Sequence, residues 1–260
     1  MKERIITGIC ILAIVLPVIF FGGFLFYIAL VAVAMIATLE MVKMRETQSK
    51  AAFWVKFLTF VGVLIMIEMP NFLQALGINN FIFAVLLIAN FLGRRKGKPD
   101  TSFYVLVIFY VGIAFRSLLY IRAHDLSLFI FLIITVVLTD SFAYFGGRLF
   151  GKKRLAPKIS PNKTVEGAFV GWLFGFVFAI VWGGILNVFF NNWIVTIILA
   201  IGIPILSQAG DLLASALKRQ HGIKDYGKIF PGHGGVMDRV DSQMLTAIFM
   251  YLIIYFGGLN

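Results

Sequence analysis

The residue types best suited to chemistry are concentrated between Gly210 and Ser242, in the stretch GDLLASALKRQHGIKDYGKIFPGHGGVMDRVDS. If the segment 207–220 is helical, steps of three and four residues place one group of its polar side chains on a single face. That group consists of Ser207, Asp211, Ser215 and Lys218 or Arg219. Acids and bases would then line one wall of a site.

A glycine-rich segment follows this predicted helix. Lys224 and Asp225 lead into residues 231–235, PGHGG. Glycines at three of these positions allow backbone N–H groups to turn together toward an anion. His233, between the glycines, is either a base or ligand or a turn residue with a hydrogen bond. The segment therefore predicts an anion-binding turn.

Two carboxylates follow the turn. On a helix, their spacing of three residues places Asp238 and Asp241 on one face. Carboxylate oxygens hold Mg²⁺, Mg²⁺ binds phosphate oxygens, and nearby Lys and Arg side chains neutralise the remaining charge. The whole stretch therefore indicates phosphoryl or nucleotidyl transfer. The alternative is a solvated loop in which Asp238 caps the start of a helix.

A second polar cluster covers residues 139–167. Asp140, Tyr144 and Arg148 are four residues apart and share a face if they are helical. An Asp within an apolar span is a functional candidate, although Asp140 could instead lie at the membrane interface and pair with a nearby basic side chain. Lys163, in a loop that enters a helix, is either a phosphate clamp or a topology-setting lysine.

The elements that must position these residues are membrane helices. The 260 residues are 60% apolar and only 13% charged, whereas soluble proteins carry roughly 25% charged residues. The only cysteine is Cys10, so an intramolecular disulfide is excluded. Charged residues near the ends of the early spans are expected at helix ends, with their charged groups reaching the surface. These are Glu40, Lys43, Lys56 and Glu68.

Apolar segments long enough to cross a hydrocarbon core of ~30 Å predict an all-α, polytopic transmembrane bundle of about nine helices. They lie near residues 5–21, 24–42, 52–69, 75–93, 102–121, 126–147, 165–189, 193–210 and 242–258. No repeat or long linker divides the chain, which predicts a single membrane domain, 1–260. Within it, 1–130 is expected to be a hydrophobic scaffold and 131–260 a catalytic half.

The net charge of +11 lies almost wholly in short loops. With the N-terminus in the cytoplasm, all of the 23 Lys and Arg residues except Arg116 and Arg122 fall on the cytoplasmic side, as topology rules favour. Such loops attract anionic lipid head groups, so membrane lipids are expected partners and nucleic acid is not. The polar site is then expected on the cytoplasmic face of the plasma or inner membrane.

These motifs resemble the signature of the phosphatidate cytidylyltransferases, also called CDP-diacylglycerol synthases. That signature is a Ser, then Lys-Arg, then Lys-Asp, then a Pro-x-His-Gly-Gly turn, then Asp-Arg-x-Asp. The matching residues are Ser215, Lys218, Arg219, Lys224, Asp225, Pro231, His233, Gly234, Gly235, Asp238, Arg239 and Asp241. The segment 160–167, and Asp140 with Tyr144 and Gly147, are similar to two further elements of the family.

The resemblance implies that CTP and phosphatidate react, with Mg²⁺, to give CDP-diacylglycerol and pyrophosphate. A second metal ion is left open, and a dimer is the favoured form of a homo-oligomer. It implies catalytic roles for Asp211, Lys218, Arg219, Asp238 and Asp241. Metal ligands would come from Asp140, Asp211, Asp238 and Asp241. Substrate would bind to Lys163, Ser215, Lys224, Asp225, Gly232, His233, Gly234, Gly235 and Arg239.

Two other functions fit parts of the pattern. A CTP-dependent polyprenol or dolichol-type lipid kinase would have a similar architecture and use the same metal site. A transporter would also have many spans and an intramembrane Asp, but it is usually marked by inverted repeats and broken paired helices. Neither mark is visible in this sequence.

The charge distribution predicts an N-in, C-out topology. In a Cys10→Ser background, single cysteines at Ser49 and Asn191 should react with a membrane-impermeant maleimide from opposite sides of sealed vesicles. Labelling of both positions from the same side would contradict the nine-span topology.

Overall fold

The fold is seen in a computed structural model, whose described residues are 2–94, 101–185 and 192–256. The chain divides into two compact units. The first comprises Met1–Leu119 and Gln220–Arg239, and the second comprises Tyr120–Arg219 and Val240–Asn260. These boundaries differ from the expected division at residue 130, and the assignment of scaffold and catalytic halves stays a prediction.

Helices dominate the described residues, as the composition predicts. They are α1 (Lys2–Phe21), α2 (Gly23–Glu46), α3 (Phe53–Glu68), α4 (Phe72–Arg94), α5 (Ser102–His124), α6 (Leu126–Phe150), α7 (Val165–Ile185), α8 (Trp193–Gln220) and α9 (Met237–Phe256). Strands β1 (Arg154–Ala156) and β2 (Ser160–Thr164) lie between α6 and α7 and pair as an antiparallel hairpin. The all-α prediction is therefore confirmed, with this small hairpin as an addition.

The nine helices of the described residues correspond one to one with the nine predicted spans, and two of them exceed the predicted membrane span by five residues or more at one end. Helix α8 continues ten residues beyond the span that ends at 210, through the segment 207–220 whose shared polar face requires a helix, and α9 begins five residues before the span that starts at 242. The polar residues of the signature therefore belong partly to helices rather than to one long loop. The basic residues Arg95, Lys96 and Lys98, and the labelling position Asn191, lie outside the described residues.

Five helices within the described ranges are long and apolar enough to cross a membrane, namely α2, α5, α6, α7 and α8. Two shorter apolar helical stretches, Thr7–Phe21 and Phe72–Ile88, lie in α1 and α4. This helical content is that of a multi-pass membrane protein.

The core of the first unit is built from one apolar residue or pair on each of four helices. Val42 comes from α2, Val55 from α3, Ile82 and Leu86 from α4, and Tyr104 and Ile108 from α5. Arg116 adds a polar contact, because its guanidinium donates to the carbonyls of Met66, Met69 and Pro70 at the end of α3. An arginine predicted on the non-cytoplasmic side thus satisfies carbonyl groups at a helix end.

In the second unit, α6 and α7 pack along each other at close range because three glycines of α7 face α6. A Cβ atom on Gly167 would lie 2.6 Å from the carbonyl oxygen of Ala143, and one on Gly171 would lie 2.5 Å from that of Thr139. A Cβ atom on Gly175 would also collide with the Thr139 hydroxyl. Close backbone approach through small residues is a usual basis of helix association in membranes.

We expect Gly171→Ala to lower the thermal midpoint of the purified protein in detergent by roughly 2–12 °C, because overpacking this interface costs about 1–3 kcal/mol. Gly77→Ala is the matched control, since nothing lies within 4 Å of the added Cβ on α4. In that control the thermal midpoint should stay the same or rise, because Ala stabilises a helix more than Gly does. Equal midpoints for both variants would contradict the close packing of α6 and α7.

Candidate active site

The second unit contains a cavity of about 470 Å³ formed by α6, the β hairpin, the start of α7, and α8. It is lined by two carboxylates, three cations and four neutral polar side chains. These are Asp140, Asp211, Arg148, Arg154, Lys163, Tyr144, Asn162, Thr164 and Gln208. Apolar residues complete the wall, including Ala143, Leu155 and Ala168. The cavity therefore joins acids and bases to an apolar surface.

An ion pair lies at the centre of this polar lining. The Lys163 ammonium is 2.5 Å from Oδ2 of Asp211, and the two side chains are 28% and 30% exposed. The hydroxyl of Ser215 donates to the other oxygen, Oδ1 of Asp211, at 3.3 Å. Since both charged groups are accessible to solvent, an incoming phosphate or metal ion can compete for either partner.

Asp140 occupies the wall formed by α6. Its Oδ1 accepts a hydrogen bond from the Ser207 hydroxyl of α8 at 3.2 Å. Tyr144 and Arg148 line the same cavity, so the predicted face of Asp140, Tyr144 and Arg148 is confirmed. Asp140 thus faces a polar cavity, which is the usual place for an acid within a membrane helix.

The predicted polar face of α8 is also confirmed, because Ser207, Asp211 and Ser215 all contact groups of the site. Lys218 is buried, with 8% exposure. Arg219 donates through Nε to the carbonyl of Ile159 in the hairpin turn at 3.3 Å. The C-terminal end of α8 therefore carries Arg219 to the hairpin.

The hairpin that carries Lys163 is held by Glu166 in the first turn of α7. The backbone N–H groups of Lys152 and Lys153 donate to the Glu166 carboxylate at 2.9 to 3.2 Å. At the other strand, the N–H of Gly167 donates to Oγ1 of Thr164 at 3.1 Å. The sequence pattern suggested only a loop that enters a helix here. The structure shows that Glu166 closes the loop.

In the first unit, the predicted glycine turn lines another cavity, of about 690 Å³. Its lining contains Lys224, Asp225, Lys228, Phe230, Pro231, Gly232, His233, Gly234 and Arg239. Gly232 and Gly234 have φ of 72° and 87°, a left-handed conformation that favours glycine. The turn closes by hydrogen bonds from the N–H groups of His233 and Gly234 to the carbonyl of Phe230, at 2.9 and 3.1 Å.

Two carboxylates of the protein itself accept hydrogen bonds from the backbone N–H groups of this segment. Oδ2 of Asp238 accepts from the N–H groups of Gly235 and Tyr226 at 2.9 and 2.8 Å. The next N–H groups, of Val236 and Met237, donate to the Glu40 carboxylate of α2. The predicted turn is therefore present. Its N–H groups from Gly235 to Met237 have partners within the chain, so the glycines contribute to a ligand site through shape.

Asp241 lies in the second unit, four residues after the start of α9. Its side chain accepts from the N–H of Ser242 at 2.8 Å, and the residue is 8% exposed. Its carbonyl oxygen would be 2.7 Å from a Cβ atom on Gly210 of α8. Asp241 is thus enclosed by close contact between α8 and α9.

The cavity of the second unit offers oxygen donors of the kind that Mg²⁺ prefers. Asp140 and Asp211 line one cavity together with Lys163 and neutral oxygen donors. Among the residues that the structure describes, no three His, Cys, Asp or Glu side chains lie together in a group that could hold a metal ion. Mg²⁺ is commonly bound by one or two carboxylates, several waters and substrate phosphates. Asp140 and Asp211 fit an ion that is held jointly with a phosphorylated substrate.

Glu40 is the residue that the sequence interpretation placed wrongly. It was expected at a helix end with its charge near the surface, but it lies within α2 and is only 4% exposed. The sequence did contain one signal of a buried role for Glu40, because an ionisable residue inside an apolar span is a functional candidate. The partners of that carboxylate lie 196 and 197 residues away, which no local spacing could indicate.

The chain is similar in sequence to proteins of one family. A family model described as "Cytidylyltransferase family" matches residues 2–256. Proteins named phosphatidate cytidylyltransferase from Staphylococcus saprophyticus and Staphylococcus epidermidis are 35% and 34% identical, and each match covers 98% of this chain and 99% of the relative. A Bacillus subtilis protein of the same name is 32% identical over 98% of this chain and 97% of its own length. These matches confirm the resemblance found in the motifs.

Proposed function

The chain belongs to the cytidylyltransferase family, and we propose that it transfers the cytidylyl group of CTP to phosphatidate. An oxygen of the lipid phosphate attacks the α-phosphorus of CTP and forms the new P–O bond. The bond between the α-phosphorus and the bridging oxygen to the β-phosphorus breaks. CDP-diacylglycerol forms, and pyrophosphate leaves with the electron pair.

The observation that carries this proposal is the grouping of Asp140, Asp211 and Lys163 in one accessible cavity. The lipid phosphate is already anionic, so the reaction needs alignment and charge screening more than a strong general base. A cavity with two acids and three cations supplies such screening. Its apolar wall is compatible with a substrate that carries acyl chains.

We propose that Asp140 and Asp211 of the second unit hold Mg²⁺. A metal role for Asp238 and Asp241 stays a prediction from the sequence. When bound, Mg²⁺ would polarise phosphoryl oxygens and neutralise developing charge. Lys163 lies beside Asp211 and is positioned to hold a phosphate oxygen when the carboxylate turns to the metal. Ser215 holds the remaining Asp211 oxygen and so orients the carboxylate.

The glycine-turn cavity of the first unit is proposed to receive phosphates of CTP. Lys224, Lys228 and Arg239 provide its positive charge, and Gly232 and Gly234 allow a backbone conformation that leaves room for a ligand. Lys218 and Arg219 at the end of α8 are proposed to neutralise further phosphate charge.

Phosphatidate is a membrane lipid, and the relatives are bacterial proteins. We therefore place this chain in the plasma membrane, with its N-terminus and polar cavities on the cytoplasmic side, where CTP is found. The basic loops support this orientation. A homodimer is the proposed assembly, and no nucleic-acid partner is proposed.

Labelled CTP tests the reaction directly. With phosphatidate vesicles, Mg²⁺ and purified protein, label from the α-phosphate should enter the lipid fraction, while label from the γ-phosphate should leave as pyrophosphate. Dolichol or another polyprenol should accept no label. Transfer of γ-label to a lipid alcohol would instead identify a lipid kinase, and flux of a solute without any transfer would identify a transporter.

Replacing a metal carboxylate should remove the reaction without unfolding the protein. Asp211→Asn and Asp238→Asn are each expected to reduce turnover by on the order of 100-fold or more. Asp125→Asn is the control, because Asp125 caps α6 through the N–H groups of Ser127 and Leu128, and Asn caps equally well. Activity of Asp211→Asn within a few-fold of wild type, at the same Mg²⁺ requirement, would refute the metal assignment.

A further inference from the structure

Glu40 of α2 lies far from the signature in sequence but makes direct contact with it. We propose that Glu40 is a positioning residue that holds the glycine turn and Asp238 in the conformation needed for turnover. This inference rests on the proposed function, since it concerns how the turn serves that reaction. It assigns a task to a residue of the N-terminal helices, outside the signature motif.

Two hydrogen bonds carry the inference. The N–H of Val236 donates to Oε1 of Glu40 at 3.0 Å, and the N–H of Met237 donates to Oε2 at 2.8 Å. Both bonds are buried. Met237 is the first residue of α9, so its N–H has no acceptor within the helix. A carboxylate from another helix thus supplies the cap and also suits the positive end of the helix dipole.

The glycines of the turn are shaped around the same carboxylate. A Cβ atom on Gly235 would lie 2.4 Å from Oε1 of Glu40 and 2.6 Å from Oε2. A Cβ atom on Gly227 would lie 2.2 Å from Oε1. Both positions therefore need glycine so that the backbone can approach Glu40, which accounts for two of the glycines between Lys224 and Asp238.

Glu40 and Asp238 hold successive N–H groups of one short segment. Asp238 accepts from Gly235, and Glu40 accepts from Val236 and Met237. A displacement of Val236 would therefore move both Gly235 and the start of α9, on which Asp238 stands. The conformation of Asp238 depends on the Glu40 contact through the covalent chain.

Glu40→Gln tests this dependence, because the amide puts an NH₂ donor in place of one of the two oxygens that now accept separately from Val236 and Met237. We expect kcat to fall by about 10- to 100-fold, as for loss of a supporting contact to a metal-site residue. The KM for CTP should rise roughly several-fold, because the turn would no longer be aligned to bind it, whereas the KM for phosphatidate should stay within about twofold. Glu46→Gln is the matched control on α2, since the contact that it weakens is the partly exposed Glu46–Lys56 ion pair; a single pair near the surface contributes little.

A second readout does not require activity. Lys224 and Lys228 are exposed trypsin sites in the turn, and Lys152 is an exposed site before the hairpin. In Glu40→Gln, cleavage at Lys224 and Lys228 should become on the order of tenfold faster relative to Lys152, because the turn opens locally. Gly235→Ala should have the same effect by displacing the carboxylate, and Gly77→Ala should have none.

The outcomes separate this inference from the proposed function. If wild-type protein transfers no α-label to phosphatidate, the proposed function fails and the trypsin ratio alone decides the role of Glu40. An unchanged trypsin ratio in both Glu40→Gln and Gly235→Ala would overturn the inference. So would a Glu40→Gln protein with a lower thermal midpoint but wild-type kcat and KM per folded molecule, since Glu40 would then only stabilise the fold.

Discussion

An ionised carboxylate beside a hydrocarbon layer must be given partners, because an unpaired charge there costs several kcal/mol. The described acids of the site region satisfy this constraint in two ways. Glu40, Glu166 and Asp238 accept from backbone N–H groups. Asp140 and Asp211 instead contact side chains, a hydroxyl and an ammonium. Acids of the first kind hold the backbone in place, and the side-chain partners of Asp140 and Asp211 are ones that a ligand can displace.

An acid that holds the backbone also positions the side chains that can bind a ligand. The Glu166 carboxylate holds the hairpin, and the hairpin carries Lys163 to Asp211. Close packing of α6 against α7 at Gly167 and Gly171 keeps Asp140 and the hairpin together in the same unit. Small residues thus position the charged ones, because the helices could not approach so closely with larger side chains at the interface.

The first unit combines the N-terminal helices with the most distinctive part of the signature. The N-terminal half contains few polar residues, so its helices were expected to serve as a hydrophobic scaffold. Glu40 changes that interpretation, since its carboxylate caps the helix that carries Asp238. The signature turn is therefore built from two distant parts of the chain, and the supporting residue lies in the part without a motif.

The sequence by itself determined the membrane class, the nine helical segments, the family, and the polar faces of α6 and α8. Each of these depends on composition or on short spacing, and apolar periodicity and motif residues are local properties. The tertiary structure decided the pairing of Lys163 with Asp211, the closure of the hairpin by Glu166, and the contact of Glu40 with Val236 and Met237. Pairings of side chains far apart in sequence follow from helix packing, which no local pattern records. The predicted membrane spans are shorter than α8 and α9 for a related reason: charged residues interrupt the apolar pattern there, but cavities and capping partners within each unit satisfy those charges, and the helices continue through them.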